Sequence, residues 1–291
     1  MKLPTSSASL AFTLACALAC ASCGDNETPP PQHAAYDGGV VAALPCVPNL
    51  DGKIESRELV PQVGIPANYL VSPFGKDRPV DVAGKTSPAG KLTWSFGVDF
   101  VDDQVAQVAA QKIDGKWYQS SFAAVPNPVV VALDVGGRTE GVYTQNDQGF
   151  FLHGLASATP DAVEGKTLLV YEAPVMLYRF PLEPGAAWTS VGTVRGADQF
   201  LRGLPYAGKD TYDVKVDGAG ELGLPDFVIT QALRVRTNLS IAPAAGQVTT
   251  QKQVGFLFEC LGEVARATSK LNETEENFAV AGELRRLGLA P

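Results

Sequence analysis

From Ile65 onward, apolar and polar residues alternate in short runs, the period that sends successive side chains to opposite faces of a strand. Asn68-Tyr-Leu-Val71, Leu92-Thr-Trp-Ser-Phe96 and Gln104-Val-Ala-Gln-Val-Ala109 carry this pattern. Trp117-Tyr118, Val129 to Leu133, Glu140 to Thr144 and Phe150 to Gly154 continue it. Turn chemistry separates them: Phe74-Gly-Lys-Asp77, Ser87-Pro-Ala-Gly90, Asp114-Gly115, Gly136-Gly137 and Asn146-Asp-Gln-Gly149. A second series follows Pro160, with Leu168 to Tyr171, Val175 to Tyr178, Ala187 to Val191 and the clean alternation Tyr212-Asp-Val-Lys-Val216. Phe227 to Leu239 and Val254 to Cys260 are long enough for the centre of a sheet, and Val264 to Thr268 follows. Gly218 to Gly223 reads as a hairpin, Glu273 to Glu276 as a solvated loop, and Phe278 to Leu287 fits a strand or a short helix. The pattern predicts an all-β protein, an antiparallel sandwich or strongly curved half-barrel sheets with few short helices. It falls into two blocks, an N-terminal β-domain over 63–160 and a C-terminal one over 161–291.

The pattern is different before Ile65. Lys2 precedes an apolar stretch, Leu10 to Leu18, that is too short to span a bilayer. Small residues lead into Cys23, and the chain turns polar at Gly24-Asp-Asn-Glu27. This resembles the lipobox of bacterial lipoproteins, in which small residues precede a cysteine that is diacylated and becomes the mature N-terminus. The usual Leu three places before that cysteine is Cys20 here. The resemblance implies a signal peptide over 1–22 and lipidation at Cys23, with Cys16 and Cys20 as alternatives and a plain cleaved secretory signal as the rival. Residues 23–45 include Thr28-Pro-Pro-Pro-Gln32 and Asp37-Gly-Gly39, too polar and proline-rich for a core. They read as a tether from the membrane.

Charge narrows the partners. The formal net charge is -8, or -9 (-8 minus 1) once Lys2 leaves with the signal, and Lys and Arg form no cluster. That argues against nucleic acid and against charge-driven binding to anionic head groups. Any membrane attachment then comes from N-terminal lipid. Of five cysteines, lipidation and signal removal leave Cys46 and Cys260. In an oxidising compartment they form the one available intramolecular disulfide, the alternative being two buried thiols.

Cys46 also opens a candidate metal loop over 46–62. Around the sharp-turn Gly52, Asn49, Asp51, Glu55 and Glu58 fall at the third, fifth, ninth and twelfth positions of an EF-hand-like loop. Oxygen donors so spaced suit calcium. Val47 stands where the first ligand is normally Asp, and Pro45, Pro48 and Pro61 deny the loop long flanking helices. A capped turn leading into a short helical turn is the competing reading.

Arg179-Phe-Pro-Leu-Glu-Pro-Gly-Ala-Ala-Trp188, then Tyr212 to Val216, Leu224-Pro-Asp-Phe227, Ala232 to Val235 and Phe256-Leu-Phe258, resemble uncharacterised periplasmic β-rich lipoprotein domains. That resemblance implies a strongly curved antiparallel sheet, related in shape to the half-barrels of lipoprotein carriers.

Catalytic chemistry finds little support. His33 lies in the tether and His153 in a strand pattern, and no glycine elbow accompanies a serine. Asp102-Asp103 marks a turn rather than a carboxylate pair across a cleft. Trp94, Trp117 and Trp188 read as core. The expectation is a non-enzymatic, lipid-anchored envelope protein, facing periplasm or cell surface, that is structural or binds an envelope protein or glycan. A carrier or sensor of an apolar ligand and a glycan hydrolase are the rivals.

Overall fold

The computed structural model describes residues 46–134 and 136–289. The expected signal peptide over 1–22, the expected lipidation site Cys23 and the expected tether over 23–45 lie outside them. The alternating runs become strands: β1 (Pro66–Val71), β2 (Arg78–Pro79), β3 (Lys85–Thr86), β4 (Leu92–Ser95), β5 (Gln104–Ala109), β6 (Gln111–Lys112), β7 (Val129–Ala132), β8 (Thr139–Asn146) and β9 (Gly149–Ser157). The second series gives β10 (Leu168–Arg179), β11 (Ala187–Val194), β12 (Phe200–Leu201), β13 (Leu204–Pro205), β14 (Gly208–Gly223), β15 (Val228–Pro243), β16 (Thr249–Phe258), β17 (Gly262–Ser269) and β18 (Val280–Leu287). The helical pieces among the described residues are two 3₁₀ turns, Ser56–Glu58 and Gln119–Phe122. Phe278 to Leu287 resolves as a strand, and Trp117-Tyr118 is not one: it sits in the turn entering the second 3₁₀ piece.

The strands form one sheet, antiparallel except where β4 joins it, that curls into a nearly closed barrel. β14 to β18 pair in chain order, and β18 pairs with β1 through Tyr69↔Leu287 and its neighbours. β1 pairs with β5 along its length. The run β5–β6, interrupted at Ala110, then reaches β7, and β7, β8, β9 and β10 pair in turn. The ring is loosest between β10 and β11, which share the register pair Tyr171↔Val194. There side chains replace part of the ladder: Met176 N–H donates to Ser190 Oγ at 2.8 Å, and Trp188 Nε1 to the Met176 carbonyl at 3.0 Å. β9 and β10, on either side of residue 160, are hydrogen-bonded neighbours, so pairing runs unbroken between the two sequence blocks.

Excursions of the chain cover the outer face twice. Residues 78–103 lay Trp94 and Phe96 edge-on against Phe256, with ring centroids 4.9 and 5.2 Å apart. Three outward arginines hold this cover by its carbonyls. Arg234 donates to Val82 O and Ala83 O at 2.9 and 2.8 Å, and Arg286 donates to Phe96 O and Val98 O. Arg236, beside Arg234 on the shared carboxylate of Asp217, donates to Val82 O at 3.3 Å and also reaches Glu276 O at 2.8 Å. The Asp102-Asp103 turn belongs to the same cover, its carboxylates 2.7 and 2.8 Å from Arg78. Residues 113–125 form the second cover, packing Tyr118 and Phe122 on Val130, Val142 and Ala156.

Gly218 to Gly223 is no hairpin. It is the far end of the long strand β14, where a bulge between Val216 and Gly218 turns the buried face from the interior to the exterior. β4 then pairs parallel with it, from Gly220↔Leu92 to Gly223↔Ser95.

Candidate functional site

Period-two alternation gives the barrel an inner face as well as a covered outer one. Most inward positions are apolar, but β17 and β18 send four charges in or near it: Glu263, Arg266, Glu283 and Arg285. Arg266 and Arg285 stand directly opposite in the ladder, an arrangement that costs stability unless anions flank it. Glu263 lies 3.6 Å and Glu283 3.7 Å from Arg266, both beyond hydrogen-bond length, and the buried Arg266 Nε has no partner. Arg285 is better held, donating to Leu133 O at 3.0 Å with Glu283 at 3.5 Å. Burial works against the Arg266 charge, yet Glu263 and Glu283 outweigh it and raise its pKa. For Arg285 burial prevails, helped by repulsion from Arg266, and its pKa is lowered.

Tyrosines surround this cluster. Tyr69 donates to the Glu263 carbonyl at 2.8 Å, and burial, with the Glu263 carboxylate adding to it, pushes its pKa up to about 12. Tyr143, Phe150 and Tyr178 stack with centroids 5.0 and 6.0 Å apart. Burial raises the pKa of Tyr143 and Tyr178 and lifts Tyr212 to about 12, so all stay neutral hydroxyl donors at ordinary pH.

The space these residues enclose is a chamber in two parts. The inner part, about 260 Å³, has leucines 133, 152, 155, 177 and 239 on its walls, with Arg266, Tyr143 and Tyr212 among its polar groups. The outer part, about 380 Å³, opens at the end where β16 turns into β17, beside Leu59 to Gln62, Ile65 and Leu261. Tyr178 and Glu263 line both parts. An apolar enclosure with a few convergent polar groups is the usual form of a small-molecule site.

Cys46 and Cys260 are joined in a disulfide, Cα atoms 5.5 Å apart, and Cys260 borders the outer chamber. The segment after Cys46 folds across this end of the barrel, with buried Ile54 bridging to Leu182 and packing on Val216, Leu233 and Leu257. The EF-hand-like residues lie here. Asn49 Nδ2 donates to Glu58 Oε1 at 2.9 Å, and the other Glu58 oxygen accepts the Glu55 N–H at 2.8 Å, capping the 3₁₀ turn. Asn49 Oδ1 accepts the Asp51 N–H at 2.8 Å, while Glu55 pairs with Lys53 at 3.3 Å and Arg57 at 3.0 Å. The turn thus brings Asn49 and Glu58 together and sets Asp51 and Glu55 beside Lys53. A hard cation entering here would have to displace both donors from Glu58.

His153 accepts from or donates to Thr144 Oγ1 at 2.8 Å, half-buried, with its pKa lowered by burial. Trp94 is core and Trp117 and Trp188 are half-buried, none of them on the chamber wall. The residues that do define the chamber, Glu263, Arg266, Tyr143, Tyr178 and Tyr212, were not singled out from sequence as a site. Their signal was present: Glu263 and Arg266 sit inside a strand whose other positions are small or apolar. Comparison of the chain with family models, curated proteins and solved structures finds no match.

Proposed function

We propose that this is a lipid-anchored cell-envelope protein that binds a small, largely apolar molecule inside its barrel, without catalysing a reaction on it. The chamber is the observation that carries the reading: leucine walls, an unsaturated guanidinium and neutral tyrosine hydroxyls, with an opening to one end. Carrier and sensor roles both follow from such a chamber. The anchor rests on Cys23 and the polar break after it, and the tether would join the globule at Cys46, beside the chamber mouth.

Mass spectrometry of the membrane-extracted protein tests both halves. Under denaturing conditions the chain should begin at Cys23 and carry acyl mass. Under native conditions it should carry a further non-covalent small molecule, one per chain. Gly255 borders the inner chamber, and a Cβ there would stand 3.8 Å from Glu263 Oε2 and 3.9 Å from Val235 O, so a larger side chain can start without a clash. Gly255→Leu should lose the bound molecule while keeping the acyl group. An empty wild-type chain would sink the binding half, and an unacylated start elsewhere would sink the anchor.

A further inference from the structure

We infer that the molecule held in the chamber carries a carboxylate, and that Arg266 receives it. This rests on reading the chamber as a ligand site and goes on to name the chemistry of one end of the ligand.

Arg266 is a fork of five N–H donors set for a planar, bidentate acceptor. Its neighbouring carboxylates stand at 3.6 and 3.7 Å, close enough to stabilise the charge and too far to take the hydrogen bonds. Its Nε is buried and unpartnered. The partly exposed terminal nitrogens, short of acceptors at hydrogen-bond length, are the ones that an acceptor in the chamber would engage. Tyr143, Tyr178 and Tyr212 line the same space with their hydroxyls protonated, and Thr237 and Gln253 join them, all groups able to donate. Glu263 is the one carboxylate on this wall, and at 3.6 Å from Arg266 it competes with an incoming anion for the guanidinium. Five leucines and Val235 on the same wall offer no hydrogen bond, which suits an aliphatic or flat apolar body. Together these describe a monocarboxylate amphiphile, head on Arg266 and body along the leucine wall.

The test uses three probes with one tail, dodecanoate, dodecanol and dodecyltrimethylammonium, titrated calorimetrically into the purified full mature chain below their aggregation limits. Dodecanoate should bind about tenfold tighter than dodecanol, the margin of a charge-assisted bidentate contact over a neutral one, and the cation should bind weakest. Arg266→Gln should erase the carboxylate's margin, so that acid and alcohol bind that variant alike, and Arg266→Lys should keep part of it. Glu263→Gln, which removes the competing anion, should tighten dodecanoate several-fold, a gain that a damaged fold would not produce. Equal binding of acid and alcohol to the wild-type chain overturns the inference while the chamber stands as a ligand site. Binding of none of the three probes overturns the chamber reading as well.

Discussion

Single buried groups set the chemistry of this barrel, and Asp210 shows how pH acts on them. It is 5% exposed, with one oxygen accepting Tyr171 Oη at 2.7 Å and the other unpartnered. Burial raises its pKa above the ordinary 3.8, and the Tyr171 hydrogen bond opposes that only in part. A carboxyl whose folded pKa lies above its unfolded one favours the fold below the unfolded value. That contribution is lost as pH rises through the folded value. Asp210→Asn should therefore gain stability relative to the parent between pH 4 and pH 7, read from urea midpoints at each pH. An identical difference at both would show that Asp210 carries no burial penalty. Neither Asp210 nor Arg266 was legible beforehand for one reason: a polar residue in an alternating strand is ordinarily assigned to the solvent face. Only closure of the sheet turns that face into an interior.

Strand positions were legible wherever alternation was undisturbed, as in Tyr212 to Val216, and in the long buried runs that became β15 and β16. They failed where something other than period two decided the conformation. Trp117 and Tyr118 have strand-forming side chains, but the second outer cover puts them in a turn, where Trp117 Nε1 donates to Ser157 O at 2.7 Å. Gly218 to Gly223 looked like hairpin chemistry because glycines ordinarily mark turns. Here they admit another backbone: a Cβ on Gly220 would stand 2.2 Å from Leu92 O. Gly220→Val should thus push β4 off β14 and lower stability by about 1–3 kcal/mol, typical of overpacking. Gly223→Ala serves as the comparison, since its Cβ would meet nothing nearer than Trp94 O at 3.7 Å. That variant should stay within about 0.5 kcal/mol of the parent. Comparable losses from both would mean that β4 is not held by close approach.

Across the whole molecule, the Cys46–Cys260 bond links residues 214 apart and ties the segment at the chamber mouth to the β16–β17 turn. On the chain-entropy account a loop of this length contributes roughly 5 kcal/mol at most. Cys46→Ser should lower the urea midpoint by a corresponding amount, and reductant should do the same to the parent but not to the variant. A variant as stable as the oxidised parent would assign the bond no folding role. The pairing of Cys46 with Cys260 was legible from cysteine arithmetic, whereas barrel closure was not, because no local pattern announces that β1 will lie beside β18. That closure governs how the protein can come into being. β1 is the first of the described strands and β18 the last, so a chain emerging from a ribosome cannot complete the ring until every strand between them has arrived. Until then β1 keeps an open edge available to any neighbouring chain. Folding must wait on a distant encounter rather than a local one, which places it in the slow, milliseconds-to-seconds regime of non-local β proteins.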